Sequence, residues 1–177
     1  MTIKPIEPAE LRSAILLALA ARSAERDRPA LVTRHSLREE GRPTGRILLV
    51  ENNSINQLVA RRLLETHGHK VLVANNGREA LTMLDEAAFV GFDCVFMDLK
   101  MPEMDGFECT ATIRDLERTS GAHLPIIGMT AYTELGEQAH CLAAGMDAHL
   151  SKPLQPVKFF DVVDRLLAGS IPSVSPA

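Results

Sequence analysis

The sequence predicts an α/β protein built on a doubly wound, five-stranded parallel sheet. Three observations lead there. Short apolar runs of strand length recur between residues 46 and 150. Segments with apolar residues at helical spacing separate them. Several of the runs lead into a polar residue able to do chemistry. Short apolar runs alternating with helical patterns read as parallel strands buried on both faces. Right-handed crossovers then place helices on both sides of the sheet.

Each element follows from its own stretch. Residues 46–51 read as the first strand, with Ile47, Leu48, Leu49 and Val50 ahead of Glu51. Residues 54–67 read as a helix with Ile55, Leu58, Val59 and Leu63 inward, stopped by Gly68. The second strand is 71–74, and a helix over 78–88 carries Ala80, Leu81 and Leu84. The third strand is 93–97, leading into Asp98; a helix over 106–118 and a polar loop over 119–123 follow. The fourth strand is 125–129, ahead of Thr130; a helix over 134–144 ends at Gly145. A short fifth strand, 148–150, precedes Ser151-Lys152-Pro153, and the last helix, 157–167, presents Phe159, Phe160, Val163, Leu166 and Leu167.

In open α/β sheets, ligands bind outside the carboxyl ends of the strands. Glu51, Asp98, Thr130 and Lys152 are therefore expected at one edge, bringing together two carboxylates, a hydroxyl and an ammonium. Magnesium takes hard oxygen ligands and keeps several waters. Phosphoryl transfer is mostly positioning and electrostatics. The set suits a cation and a phosphoryl group.

Composition narrows the class. The chain has 177 residues, 46% of them apolar, enough for one domain and an appendage. No apolar stretch reaches the ~18 residues needed to span a bilayer, and no signal-peptide layout is evident. Cys94, Cys109 and Cys141 lack metal-ligand spacing, and their odd number does not point to a disulfide framework, so a reduced, cytoplasmic setting is expected. A net charge of −4 weighs against nucleic-acid binding. There is no zinc pattern, P-loop or GxGxxG.

Four regions are expected: a helical segment over 1–21, a linker rich in Arg, Glu, Pro and Gly over 22–45, the α/β domain over 46–168, and a Ser/Pro-rich disordered tail over 169–177. Lys4-Pro5-Ile6-Glu7-Pro8 repeats the pattern of Lys152-Pro153-Leu154-Gln155-Pro156, and an apolar helix pattern follows both. Proline commonly opens a helix; because the match continues into the helix, residues 1–21 read as the remnant of an upstream copy of the domain. Leu11, Ile15, Ala18 and Leu19 would form an orphan apolar face that seeks another surface, giving weak self-association.

The stretches Ile47-Leu-Leu-Val-Glu-Asn-Asn-Ser-Ile-Asn-Gln57, Met97-Asp-Leu-Lys-Met-Pro-Glu-Met-Asp-Gly106, Met129-Thr-Ala131 and Ser151-Lys-Pro153 resemble the receiver domain of response regulators. The likeness spans 46–168 and is strongest to the C-terminal receivers of hybrid sensor histidine kinases. It implies a flavodoxin-like strand order, 2-1-3-4-5. It implies that Asp98 is the phosphoacceptor, forming an aspartyl phosphate. It assigns magnesium to Glu51, Asn52, Asp98 and the backbone carbonyl of Lys100. Thr130 would bind a phosphoryl oxygen, Lys152 would pair with the phosphate, and Thr130 and His149 would form the switch. The Lys152–Pro153 peptide is usually cis in the family. The implied partner is a histidine kinase or a histidine phosphotransfer protein, with no nucleic acid and no membrane contact by this chain.

The sequence departs from the family at Asn52, where a carboxylate normally touches the metal. A unit charge at ~4 Å contributes roughly 1–4 kcal/mol, so magnesium should bind more weakly by on the order of ten-fold to several hundred-fold. Three functions compete. The first is a phosphoacceptor module, not an enzyme beyond its own phosphorylation and dephosphorylation, whose parent chain could be a histidine kinase. The second is a degenerate receiver that works as a phosphorylation-independent interaction module. The third, a magnesium-dependent phosphohydrolase, needs a second Asp two residues after Asp98, where Lys100 stands.

Other residues read as structural. Asp105 suits a turn or helix cap. His67 and His69 flank a helix end without metal spacing. Cys94 is expected in the core, Cys109 and Cys141 partly exposed on helices. Met97, Met101 and Met104 are packing residues, and Arg61-Arg62 is a solvated face.

Overall fold

The structure, a computed structural model, describes residues 44–87, 91–131 and 137–168. The expected helix over 1–21, nearly all of the linker and the tail lie outside the described residues. Within them, β1 (Arg46–Val50), α1 (Ser54–Thr66), β2 (Lys70–Ala74), α2 (Gly77–Glu86), β3 (Cys94–Asp98), α3 (Gly106–Ser120), β4 (Ile126–Thr130), α4 (Glu137–Ala143), β5 (Ala148–Ser151) and α5 (Pro156–Leu167) alternate along the chain. All strand pairs are parallel, in the order β2-β1-β3-β4-β5. The anticipated class and strand order are both present.

Two apolar layers hold the sheet because successive strand residues face opposite ways. Ile47 and Leu49 join Ala60, Leu64, Phe96, Phe159 and Val163 on one side. Leu48 and Val50 join Ala80, Leu84, Met97, Cys109 and Ile113 on the other. β1, β3 and β4 are apolar on both faces, as central parallel strands must be.

Side-chain caps fix the helix starts at the carboxyl edge of the sheet. The Asn53 carboxamide oxygen accepts from the Ile55 and Asn56 amides, opening α1. Asn76 caps α2 and Asp105 caps α3 in the same way, through the Glu79 and Glu108 amides. The cap role anticipated for Asp105 is thus present. Gly68, at φ +94°, follows the end of α1, in a conformation where a side chain is strained.

Two expectations need correction. Leu58, expected inward, is 58% exposed, and Ala60 and Leu64 are the buried residues of α1. Two residues advance about 200° round a helix, so Leu58 lies opposite Ala60. Cys109 and Cys141, expected partly exposed, are fully buried. Both stand on the inner stripe of their helices, where a small thiol packs as an apolar group. Burial pushes the Cys109 thiol up to about 12, with Glu108 and Asp105 adding to the shift, and raises Cys94 further, mainly by burial. No described helix is long and apolar enough to cross a membrane.

Candidate functional site

Four strand ends meet at the carboxyl edge. Glu51 directly follows β1, Asp98 ends β3, Thr130 ends β4, and Lys152 directly follows β5. Glu51, Asp98 and Thr130 are buried. The Lys152 ammonium lies 2.6 Å from Glu51 Oε2 and 2.8 Å from Asp98 Oδ2. The Lys152 backbone N–H donates to the Thr130 carbonyl at 2.6 Å, tying the ends of β4 and β5 together. The Lys152–Pro153 peptide is cis.

Packing keeps space for this edge. A Cβ on Gly106 would meet the Asp98 carbonyl oxygen at 2.4 Å and the Leu99 Cα at 3.0 Å. Only glycine lets α3 start against the residue that ends β3. The Lys100 N–H points back to Asp98 Oδ1 at 3.4 Å, while the Lys100 side chain is exposed. His149 is half-buried on β5, opposite Gly128 of β4.

Glu51 is the most constrained side chain of the group. Its Oε1 accepts from the Asn53 N–H at 3.0 Å and from the Asn56 carboxamide at 3.4 Å, while its Oε2 takes Lys152. Burial holds its carboxyl above the usual range. Lys152 opposes that shift and Asp98 reinforces it, but desolvation is the largest cause.

Asn52 is exposed, and no hydrogen bond of its side chain falls among the described residues. The edge therefore carries two buried carboxylates, one ammonium and one amide. Among the described residues no group of three His, Cys, Asp or Glu side chains is arranged to hold a metal ion. The donors are nevertheless hard oxygens, and the carboxylates together exceed the charge of Lys152, so they fit a magnesium ion that keeps part of its water shell.

Residues 47–164 match the family model of the response regulator receiver domain. The chain belongs to this family. It is similar to the hybrid signal transduction histidine kinase I of Dictyostelium discoideum, 33% identical over 121 residues, which are 67% of this chain and 7% of that kinase. It is likewise similar to histidine kinase 2 of Arabidopsis thaliana, 36% identical over 149 residues, covering 74% of this chain and 12% of that kinase. The chain thus spans a small fraction of these relatives' length. Among solved structures it resembles the receiver domain of sensor histidine kinase PA1611 from Pseudomonas aeruginosa, which has a magnesium ion coordinated in its active-site cleft. That match has 31% identity and a TM-score of 0.60, and covers 71% of this chain and 99% of the other. It also resembles the receiver domain of Saccharomyces cerevisiae Ssk1, crystallised with the histidine phosphotransfer protein Ypd1. There the identity is 27% and the TM-score 0.68, over 74% of this chain and 94% of the other. The chain is a receiver domain of two-component signalling.

Some contacts of the site carry no sequence signal of their own. Gln57 and Asn75 are hydrogen-bonded to each other across 18 residues of sequence. Asn53 and Asn56 hold Glu51, and only the fold reveals it.

Proposed function

We propose that this receiver takes a phosphoryl group from a phosphohistidine onto Asp98. The observation that carries the reading is Lys152, whose ammonium touches both Glu51 and Asp98 beside Thr130. In the transfer, an Asp98 carboxylate oxygen attacks phosphorus in line with the histidine nitrogen. The P–O bond forms as the P–N bond breaks, and the departing imidazole takes up a proton. Lys152 and the Thr130 hydroxyl stabilise the phosphoryl oxygens. His149 and Thr130 relay the change to the surface.

Glu51, Asn52, Asp98 and the Lys100 carbonyl would hold magnesium, which when bound neutralises charge on the phosphoryl oxygens. Its binding is weak because position 52 supplies an amide. The donor is a histidine kinase or histidine phosphotransfer protein, in a cytoplasmic setting, and the chain performs no chemistry on other substrates. The neutral, exposed Asn52 favours one second reading, an interaction module that phosphate does not switch.

Incubation with a small phosphodonor, with and without magnesium, followed by intact mass measurement, separates the two. Addition of one phosphoryl group, absent in Asp98→Ala, supports the acceptor. No addition at any magnesium concentration supports the interaction module.

A further inference from the structure

The Gln57 carboxamide sits outside the four residues just described and makes two bonds at their edge. Its Nε2 donates to the Glu51 backbone carbonyl at 2.6 Å and to Asn75 Oδ1 at 2.9 Å. Asn75 is itself fixed, since its backbone N–H and its side-chain Nδ2 both donate to Glu79 Oε2 at 2.8 Å. One amide group therefore ties the loop after β1 to the loop after β2.

The consequence falls on position 52. The Glu51–Asn52 peptide is held by its carbonyl, through Gln57. The Asn52–Asn53 peptide is held by its N–H, through Glu51 Oε1 at 3.0 Å. Asn53 is held in turn as the cap of α1. Both peptide planes beside Asn52 are pinned while its side chain is exposed. The backbone thus fixes the Cα–Cβ direction at position 52 before any ligand arrives, leaving only the side-chain torsions to bring an oxygen to the cation.

We propose that Gln57 is a positioning residue for the cation site, acting through the Glu51–Asn52 peptide and anchored by Asn75. The inference rests on the magnesium reading above. A group that orients a ligand without touching the metal typically costs ten-fold or more in affinity when removed. Gln57→Leu keeps the bulk and removes both donated bonds. Gln57 is half-buried on α1 and belongs to neither core layer, so the fold is expected to tolerate the change.

The test uses the full chain carrying Asn52→Asp, where magnesium is expected to bind more tightly, and titrates magnesium alone by calorimetry. Adding Gln57→Leu is expected to weaken magnesium about ten-fold. Adding Asn75→Ala, which removes only the anchor, is expected to give a smaller loss. Amide exchange of Asn53 should quicken in the Gln57→Leu chain, with its metal-free urea midpoint close to the parent's. A purely structural role would move the midpoint and leave affinity alone. Magnesium affinity of the Gln57→Leu chain within two-fold of its parent overturns the proposal. Absence of magnesium binding in the Asn52→Asp parent itself overturns it too, and shows that the underlying metal reading was at fault.

Discussion

Replacing Asn52 by Asp restores a carboxylate beside two others, and the size of the effect follows from where the residue sits. A full charge at ~4 Å from the cation contributes roughly 1–4 kcal/mol, the lower figure in water and the higher under partial screening. Asn52 is exposed, so the lower part of that range applies. The expected gain is on the order of ten-fold in magnesium affinity, about 1.4 kcal/mol. At saturating magnesium this appears as added stability of the same size, a rise of roughly 5 °C in melting temperature for a domain of this length. Without metal the sign reverses, because Lys152 alone then offsets three carboxylates; the variant melts slightly below the parent. The gain should shrink as sodium chloride rises, since exposed charges are screened. Calorimetric titration and melting curves with and without magnesium measure both effects. Equal affinities for the two chains would refute the electrostatic reasoning.

Two further predictions concern buried charge. Glu51 has its carboxyl raised by burial above the ordinary 4.5. A carboxyl that holds its proton more tightly when folded stabilises the fold at low pH. That contribution fades as pH climbs from about 4.5 through the raised folded-state value, each unit of difference amounting to about 1.4 kcal/mol. Glu51→Gln should flatten this decline and stabilise the metal-free protein near neutral pH, since Lys152 keeps Asp98 at 2.8 Å; urea unfolding at mildly acid and neutral pH checks it, and a steeper decline in the variant would count against it. At the opposite edge of the sheet, Arg114 contacts Glu117 at 2.6 Å and Asp147 at 2.8 Å, and both acids are buried. Arg114→Met leaves two buried carboxylates without their cation and should cost about 3 kcal/mol; a loss below about 1 kcal/mol in urea unfolding would show that their other partners suffice, His123 on both acids and the Leu124 and Ile126 backbone amides.

Much of the fold was legible because the core strands are continuous apolar runs. Ile47–Val50 and Cys94–Met97 have few alternatives; β1 differs from expectation by one residue at its end and β3 by one residue at each end. The acidic, hydroxyl and ammonium groups were legible for the same reason: each ends a strand or directly follows one, and the parallel topology collects strand ends. Leu58 was not legible as exposed because the apolar residues of α1 form a stripe wider than its buried seam at Ala60 and Leu64. Cys109 and Cys141 were misjudged because a small thiol on a helix looks alike on either face. The Gln57–Asn75 link and the Arg114 cluster were invisible, since their partners are brought together only by tertiary packing.

Asp98 is the residue on which the proposed chemistry depends. The most direct measurement mixes the chain with a phosphorylated histidine phosphotransfer protein and magnesium, and then maps the modified residue by peptide mass spectrometry. One phosphoryl group is expected on the peptide containing Asp98, lost in Asp98→Ala and increased in Asn52→Asp. Phosphate on another residue, or none in the Asn52→Asp chain with magnesium saturating, would contradict it.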